Sequence, residues 1–74
     1  MTLQEQRKKA NLSQNELAAV SGINLRTIQQ YENGQRSINK AKLDTLCTLA
    51  LACKCKVYDL IEDEQLKIKL KKTV

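Results

Sequence analysis

The chain of 74 residues has no histidine, tryptophan, phenylalanine or proline, and only two glycines and two tyrosines. Each absence excludes something. Without histidine, the commonest general acid–base group is missing. With Tyr31 and Tyr58 as the only aromatics, there is no platform on which single-stranded bases could stack. No apolar run approaches the ~20 residues of a membrane span, and "MTLQEQRKKA" has no apolar stretch of the secretory-leader kind. The expectation is a soluble, cytoplasmic protein. Ser13 and Ser21 have structural explanations, and no glycine-rich phosphate loop is present. No catalytic residue and no cofactor are therefore expected, and the chain does not read as an enzyme.

What is present is basic. Thirteen Lys and Arg against eight Asp and Glu give a formal charge of +5, which suits a polyanionic partner. A chain of this length makes one domain, burying only ~60% of the surface its unfolded form exposes. Cys47, Cys53 and Cys55 are odd in number and include a Cys-x-Cys spacing. Structural zinc wants four ligands, with two to four residues between paired cysteines. The three cysteines therefore read as small buried hydrophobes in a reducing compartment, not as metal ligands.

Helical signals dominate the order of residues. Thr2 and Glu5 have the spacing of a capping box, predicting a first helix from about Leu3 to Ala10. Ser13 and Glu16 repeat it and open a second helix through "QNELAAVS", with Leu17 and Val20 turned inward. Gly22 suits the left-handed turn that ends a helix. Asn24 is placed to cap a third helix running through Asn33, and Gly34 to end it. "QRSINKAK" is a loop into a fourth helix with Asn39 as its N-cap, along which Leu43, Leu46, Cys47, Leu49, Ala50 and Cys53 keep a helical period. "VYDLIED" makes a short fifth helix presenting Val57, Leu60 and Ile61. The predicted fold is thus a compact all-α domain of five helices over residues 1–63. In the tail, residues 64–74, Leu66, Ile68 and Leu70 alternate with Lys67, Lys69 and Lys71. That pattern has two readings: a short strand pairing with a second subunit, or a disordered basic arm.

The stretch "GINLRTIQQYENG" carries the functional signal. Helices two and three, joined around Gly22, make a helix-turn-helix, and the small pair Ala18 and Ala19 lets them approach closely. Ile23, Ile28 and Tyr31 plug the third helix onto its neighbours. Asn24, Leu25, Arg26, Thr27, Gln29 and Gln30 are left outside, where a plain surface helix would carry Lys and Glu. Major-groove base edges are read by such groups: Arg against guanine, Gln or Asn against adenine, apolar atoms against the thymine methyl. Arg26 and Gln30 lie one turn apart on one face, with Leu25 beside them.

From Leu3 to Ile61 the sequence resembles the lambda-repressor-like, Cro-type helix-turn-helix family, also called the xenobiotic-response-element class. Its marks are "LSQNELA", the glycine five residues after Leu17, and "TIQQYENG". The resemblance implies double-stranded DNA binding by a homodimer on a near-palindromic operator, as a small transcriptional regulator. It implies that Leu25, Arg26 and Gln30 meet base edges, and that Asn24, Thr27, Gln29 and Asn33 serve the sugar–phosphate backbone. Gln14 would touch the backbone and brace the third helix, while Arg7 and Glu32 would form a buried ion pair. Arg36, Lys40 and Lys42 in the longer loop are further phosphate candidates. The acidic run Glu62, Asp63 and Glu64 is expected to face away from DNA. Lys54 replaces the glycine common after helix four, and Lys56 replaces a better N-cap. Two rivals differ in kind: a protein-interaction module, such as an antitoxin or assembly factor, and a thiol or metal sensor built on the cysteines.

Overall fold

The Ser13 hydroxyl accepts the Glu16 N–H at 3.0 Å, and the Glu16 carboxylate accepts the Ser13 N–H at 2.9 Å. These bonds satisfy two donors that a helix start leaves free, and they hold the Glu16 carboxyl below the usual carboxylate range. The helix they open, α2 (Gln14–Ser21), ends at Gly22 in the left-handed region, φ 73°. Two residues on, the Asn24 side chain accepts the Arg26 N–H at 2.8 Å and opens α3 (Leu25–Asn33), which Gly34 closes at φ 84°. The turn of the helix-turn-helix is therefore built from two caps, Gly22 and Asn24, two residues apart.

The computed structural model describes residues 2–73. α1 (Thr2–Lys9) precedes this pair; a single 3-10 turn (Ile38–Lys40), α4 (Leu43–Cys53), α5 (Val57–Leu60) and α6 (Glu64–Thr73) follow it. Every regular element among the described residues is helical. Leu3, Leu17, Ile28, Leu49, Leu60 and Ile61 are fully buried, drawn from five helices and the residue after α5. α4 packs against α1, α2 and α5 and is the centre of the domain. Ile38, in the loop between α3 and α4, is also buried and plugs the core from that side.

Several expectations change in three dimensions. Thr2 lies inside α1, and its N–H goes to Glu62 at 3.0 Å, so a distant carboxylate replaces the Glu5 of the expected capping box. Asn39 does not cap α4, which begins at Leu43. Its side-chain oxygen instead accepts the N–H groups of Glu62 and Asp63, at 2.7 and 3.1 Å, tying the α5–α6 corner to the loop. Val20, Leu43 and Cys47 face outward, because α2 and α4 spend their inner faces on Leu17 and on Leu46, Leu49, Ala50 and Cys53. The tail is neither strand nor arm: residues 64–73 form a sixth helix. Asp63 starts it by accepting the N–H groups of Gln65 and Leu66, at 2.9 and 3.3 Å. Leu66 and Leu70, one turn apart, then pack on the core and leave Ile68 half exposed. Val74, the last residue of that expected segment, lies outside the described residues.

Lys54 makes the turn that glycine commonly makes. It sits at φ 56° with its N–H on the Ala50 and Leu51 carbonyls, and the Cys55 N–H also returns to Ala50, at 2.9 Å. A side chain in this conformation costs ~1–2 kcal/mol, partly offset in any comparison by the ~0.5–1 kcal/mol of chain entropy that glycine loses on folding. Lys54→Gly should therefore stabilise the protein by about 0.5–1 kcal/mol in urea denaturation followed by circular dichroism. A lower midpoint would mean that the Lys54 side chain contributes more than its backbone costs.

Candidate nucleic-acid interface

α3 buries Ile28, Tyr31 and Glu32, residues spaced to form one side of a helix. The opposite side carries Arg26, Gln29 and Asn33, all exposed, with Leu25, Thr27 and Gln30 partly covered at its margins. The spacing of three and four residues makes a continuous polar stripe along the outside of the helix. Asn24 and Asn33 stand at its two ends, and each gives its side-chain oxygen to a backbone N–H: Asn24 to Arg26, and Asn33 to Gln35 at 3.0 Å. Their amide NH2 groups are left to donate outward.

Arg26 and Gln30 share this face, but they are held differently. Arg26 is exposed and makes no side-chain bond among the described residues. Gln30 accepts the Arg36 Nε–H at 3.2 Å, while the Arg36 backbone N–H returns to the Gln30 carbonyl at 3.1 Å. Arg36 therefore folds back over the end of α3, and the Gln30 NH2 stays available as a donor. Beside Thr27 lies a depression of about 520 Å³, whose walls include Arg36, Lys40 and Lys42. Ser37 and Thr45 line it too. Neither hydroxyl was expected at this surface; the signal for them was only their position next to the loop cations. Three cations with hydroxyl donors beside a polar helix suit a chain of phosphates.

Beneath α3 lies a network of charge. Arg7 Nε donates to Glu32 Oε2 at 2.8 Å and Nη2 donates to Oε1 at 3.0 Å, while Nη1 reaches the Leu12 carbonyl at 2.8 Å. Gln14 Nε2 donates to Glu32 Oε1 at 3.1 Å, and the Gln14 oxygen accepts a long 3.5 Å bond from Gln29. Arg7 and Glu32 are buried, and the hydrogen bond to Glu32 raises the Arg7 pKa still further. Among the described residues no buried side-chain polar atom lacks a partner.

A helix-turn-helix family model matches residues 3–60. The chain belongs to the lambda-repressor/Cro-like helix-turn-helix family. No match was found among curated proteins or among solved structures. The family is a DNA-binding one, so the protein is a DNA-binding helix-turn-helix regulator and DNA is its partner class. Among the described residues no helix is long and apolar enough to cross a membrane, and no group of three or more His, Cys, Asp or Glu is placed to hold a metal ion. Burial pushes the Cys53 thiol up, and pushes Cys55 up to about 11 with further help from Cys53 and Asp59. Burial thus holds both thiols in the protonated form more firmly than in a free cysteine.

For this helix-turn-helix protein, the buried pair positions α3 but is not a free source of stability. Removing one partner strands a buried charge, whereas replacing both by apolar groups removes the desolvation cost as well. Arg7→Ala or Glu32→Ala should each cost ~3–5 kcal/mol, a large share of what so small a domain has. The double variant Arg7→Met with Glu32→Leu should recover most of that loss in urea denaturation. Equal destabilisation of the single and double variants would show that Gln14 and Leu12 depend on the charges themselves.

Proposed function

We propose that this helix-turn-helix protein is a small, repressor-like transcriptional regulator that binds duplex DNA as a homodimer on a near-palindromic operator. The observation that carries this reading is the exposed Arg26, one turn from Gln30, on a helix flanked by the basic depression. In this reading α3 lies in the major groove and Arg26 takes a guanine edge by two hydrogen bonds. Gln30 donates to an adjacent base, and Leu25 meets a thymine methyl. Asn24, Thr27, Gln29 and Asn33 meet the sugar–phosphate backbone. Arg36, Lys40 and Lys42 follow the phosphates from the loop. Gln14 couples the backbone contact to Glu32 and so to the core. Half-sites would stand ~34 Å apart, or a multiple of that, to suit two copies of α3 related by a two-fold axis.

Selection of binding sites from random duplex DNA at two salt concentrations tests this directly. Counterion release weakens all binding as salt rises, but a specific motif survives enrichment. A palindromic motif, together with a dimer in sedimentation, is the expected result. Motif-free binding that disappears at higher salt would leave only a basic domain on a polyanion. On the selected site, Arg26→Ala should cost ~1–3 kcal/mol while changing affinity for random DNA little. Arg36→Ala should weaken both alike and lower the salt slope by ~1.

A further inference from the structure

Tyr31 is buried with the core, only 6% exposed. Its hydroxyl has no hydrogen-bond partner among the described residues, where every side-chain polar atom sealed from solvent has one. The Tyr31 oxygen is therefore not sealed: it opens into the depression of about 520 Å³ that Tyr31 lines. A hydroxyl at this depth takes its partner from outside the chain, from water or from a ligand that displaces the water. Its neighbours are in the same condition. Thr27, Ser37 and Thr45 also line the depression, and none of their hydroxyls is hydrogen-bonded among the described residues. By contrast, the Ser13 and Ser21 hydroxyls accept the N–H groups of Glu16 and Ile23, and those of Thr48 and Thr73 donate to the Asp44 and Leu70 carbonyls.

The charge around these hydroxyls has one sign. Among the described residues Arg36, Lys40 and Lys42 are in no ion pair, and no Asp or Glu lines the depression. Its volume lies within the ~300–1,000 Å³ of small-molecule sites. Hydroxyl donors and unpaired cations together call for an anion with several acceptor oxygens. A phosphomonoester carries three of them and a charge of about −1.5 to −2 on one free end. A phosphodiester in a duplex has two non-bridging oxygens and a sugar on either side, so it meets the rim of the depression and not the hydroxyl at its floor. We propose that the depression is a binding site for a small molecule ending in a phosphomonoester. The Tyr31 hydroxyl donates to one phosphoryl oxygen, Ser37 and Thr45 supply further donors, and Arg36, Lys40 and Lys42 offset the charge from the walls. The rest of the ligand lies along Ile23 and Ala41, which complete the lining. On the DNA-binding reading above, the same three cations follow the operator phosphates, so a filled site and a bound operator exclude each other.

The test uses the full chain with Tyr58→Phe, which leaves Tyr31 the one tyrosine in a chain without tryptophan. Ribose 5-phosphate is titrated against tyrosine fluorescence and by phosphorus NMR, with dimethyl phosphate at matched ionic strength as the diester control. Ribose 5-phosphate should bind saturably, at least ~10-fold more tightly than dimethyl phosphate. Tyr31→Phe keeps the ring packing and should cost about 10-fold by NMR, the size of one hydrogen bond to a charged group. Lys40→Gln with Lys42→Gln, both at exposed positions, should also weaken binding while leaving the urea midpoint unchanged. Saturating ribose 5-phosphate should displace the DNA site selected above, and dimethyl phosphate should not. The fluorescence and NMR measurements contain no DNA, so this site and the operator reading can fail separately. No saturable binding, equal binding of monoester and diester, or unchanged binding by Tyr31→Phe would overturn the proposal. So would a Tyr31→Phe chain that loses affinity for DNA but not for ribose 5-phosphate, which would give the hydroxyl to the DNA backbone. Ribose 5-phosphate binding that leaves the DNA in place would overturn the mutual exclusion.

Discussion

The buried pair of Arg7 and Glu32 is the constraint on which the arrangement of the first three helices depends. Apolar contacts tolerate rotation and sliding, because burial is rewarded by area and not by direction. A guanidinium fork on a carboxylate does not. Glu32 on α3 accepts both Arg7 nitrogens from α1 and the Gln14 amide from α2. The remaining Arg7 amino group is held by the Leu12 carbonyl, in the link between α1 and α2. With every group satisfied, α3 has one rotation about its axis, and that rotation turns Arg26 and Gln29 outward. The same pair explains why a buried polar group sits beside Ile28 and Tyr31 in a core with little material to spare. The charges orient the polar stripe, while the apolar side chains supply the cohesion.

The second organising feature is α4. It is central to the core, so it must be apolar on its inner side, yet it also separates two unlike surfaces. On one flank the loop brings Arg36, Lys40 and Lys42 beside Thr27. On the other, α5 and α6 stop short of covering Leu43 and Cys47. Asn39 links the two sides, because the loop that carries the cations also holds the corner where α5 passes into α6. The acidic run at that corner has structural work to do. Glu62 accepts the Thr2 N–H, Asp63 starts α6, and Glu64 stands near Lys67.

How much of this was legible depends on the reach of each interaction. Ser13 with Glu16, Asn24 with Arg26, and the left-handed Gly22 and Gly34 act within a turn, so their spacing announces them. The tail was ambiguous because Leu66 and Leu70 satisfy a helical period while Leu66, Ile68 and Leu70 satisfy a strand period. What separates the readings is Asp63 as a cap and an open flank of α5 on which the two leucines can settle. Asn39 had the composition of an N-cap, but its partners lie 23 and 24 positions away. Cys47 and Leu43 kept the period of α4 and still point outward, because period gives a face and not its covering.

Order along the chain was enough to set the all-helical class, the limits of the helix-turn-helix and the identity of the polar residues on α3. The physical reason is that caps, left-handed turns and amphipathic spacing are local, each made by residues within about one turn of each other. Only the folded molecule decided that Thr2 would bond to Glu62, 60 residues away, that Asn39 would hold the α5–α6 corner, and that the tail would close as α6. It also decided that Arg36 would lie over Gln30, and that an apolar groove with a basic rim would remain beside α4. These depend on which distant surfaces meet and which are left uncovered, and no spacing within a helix specifies that.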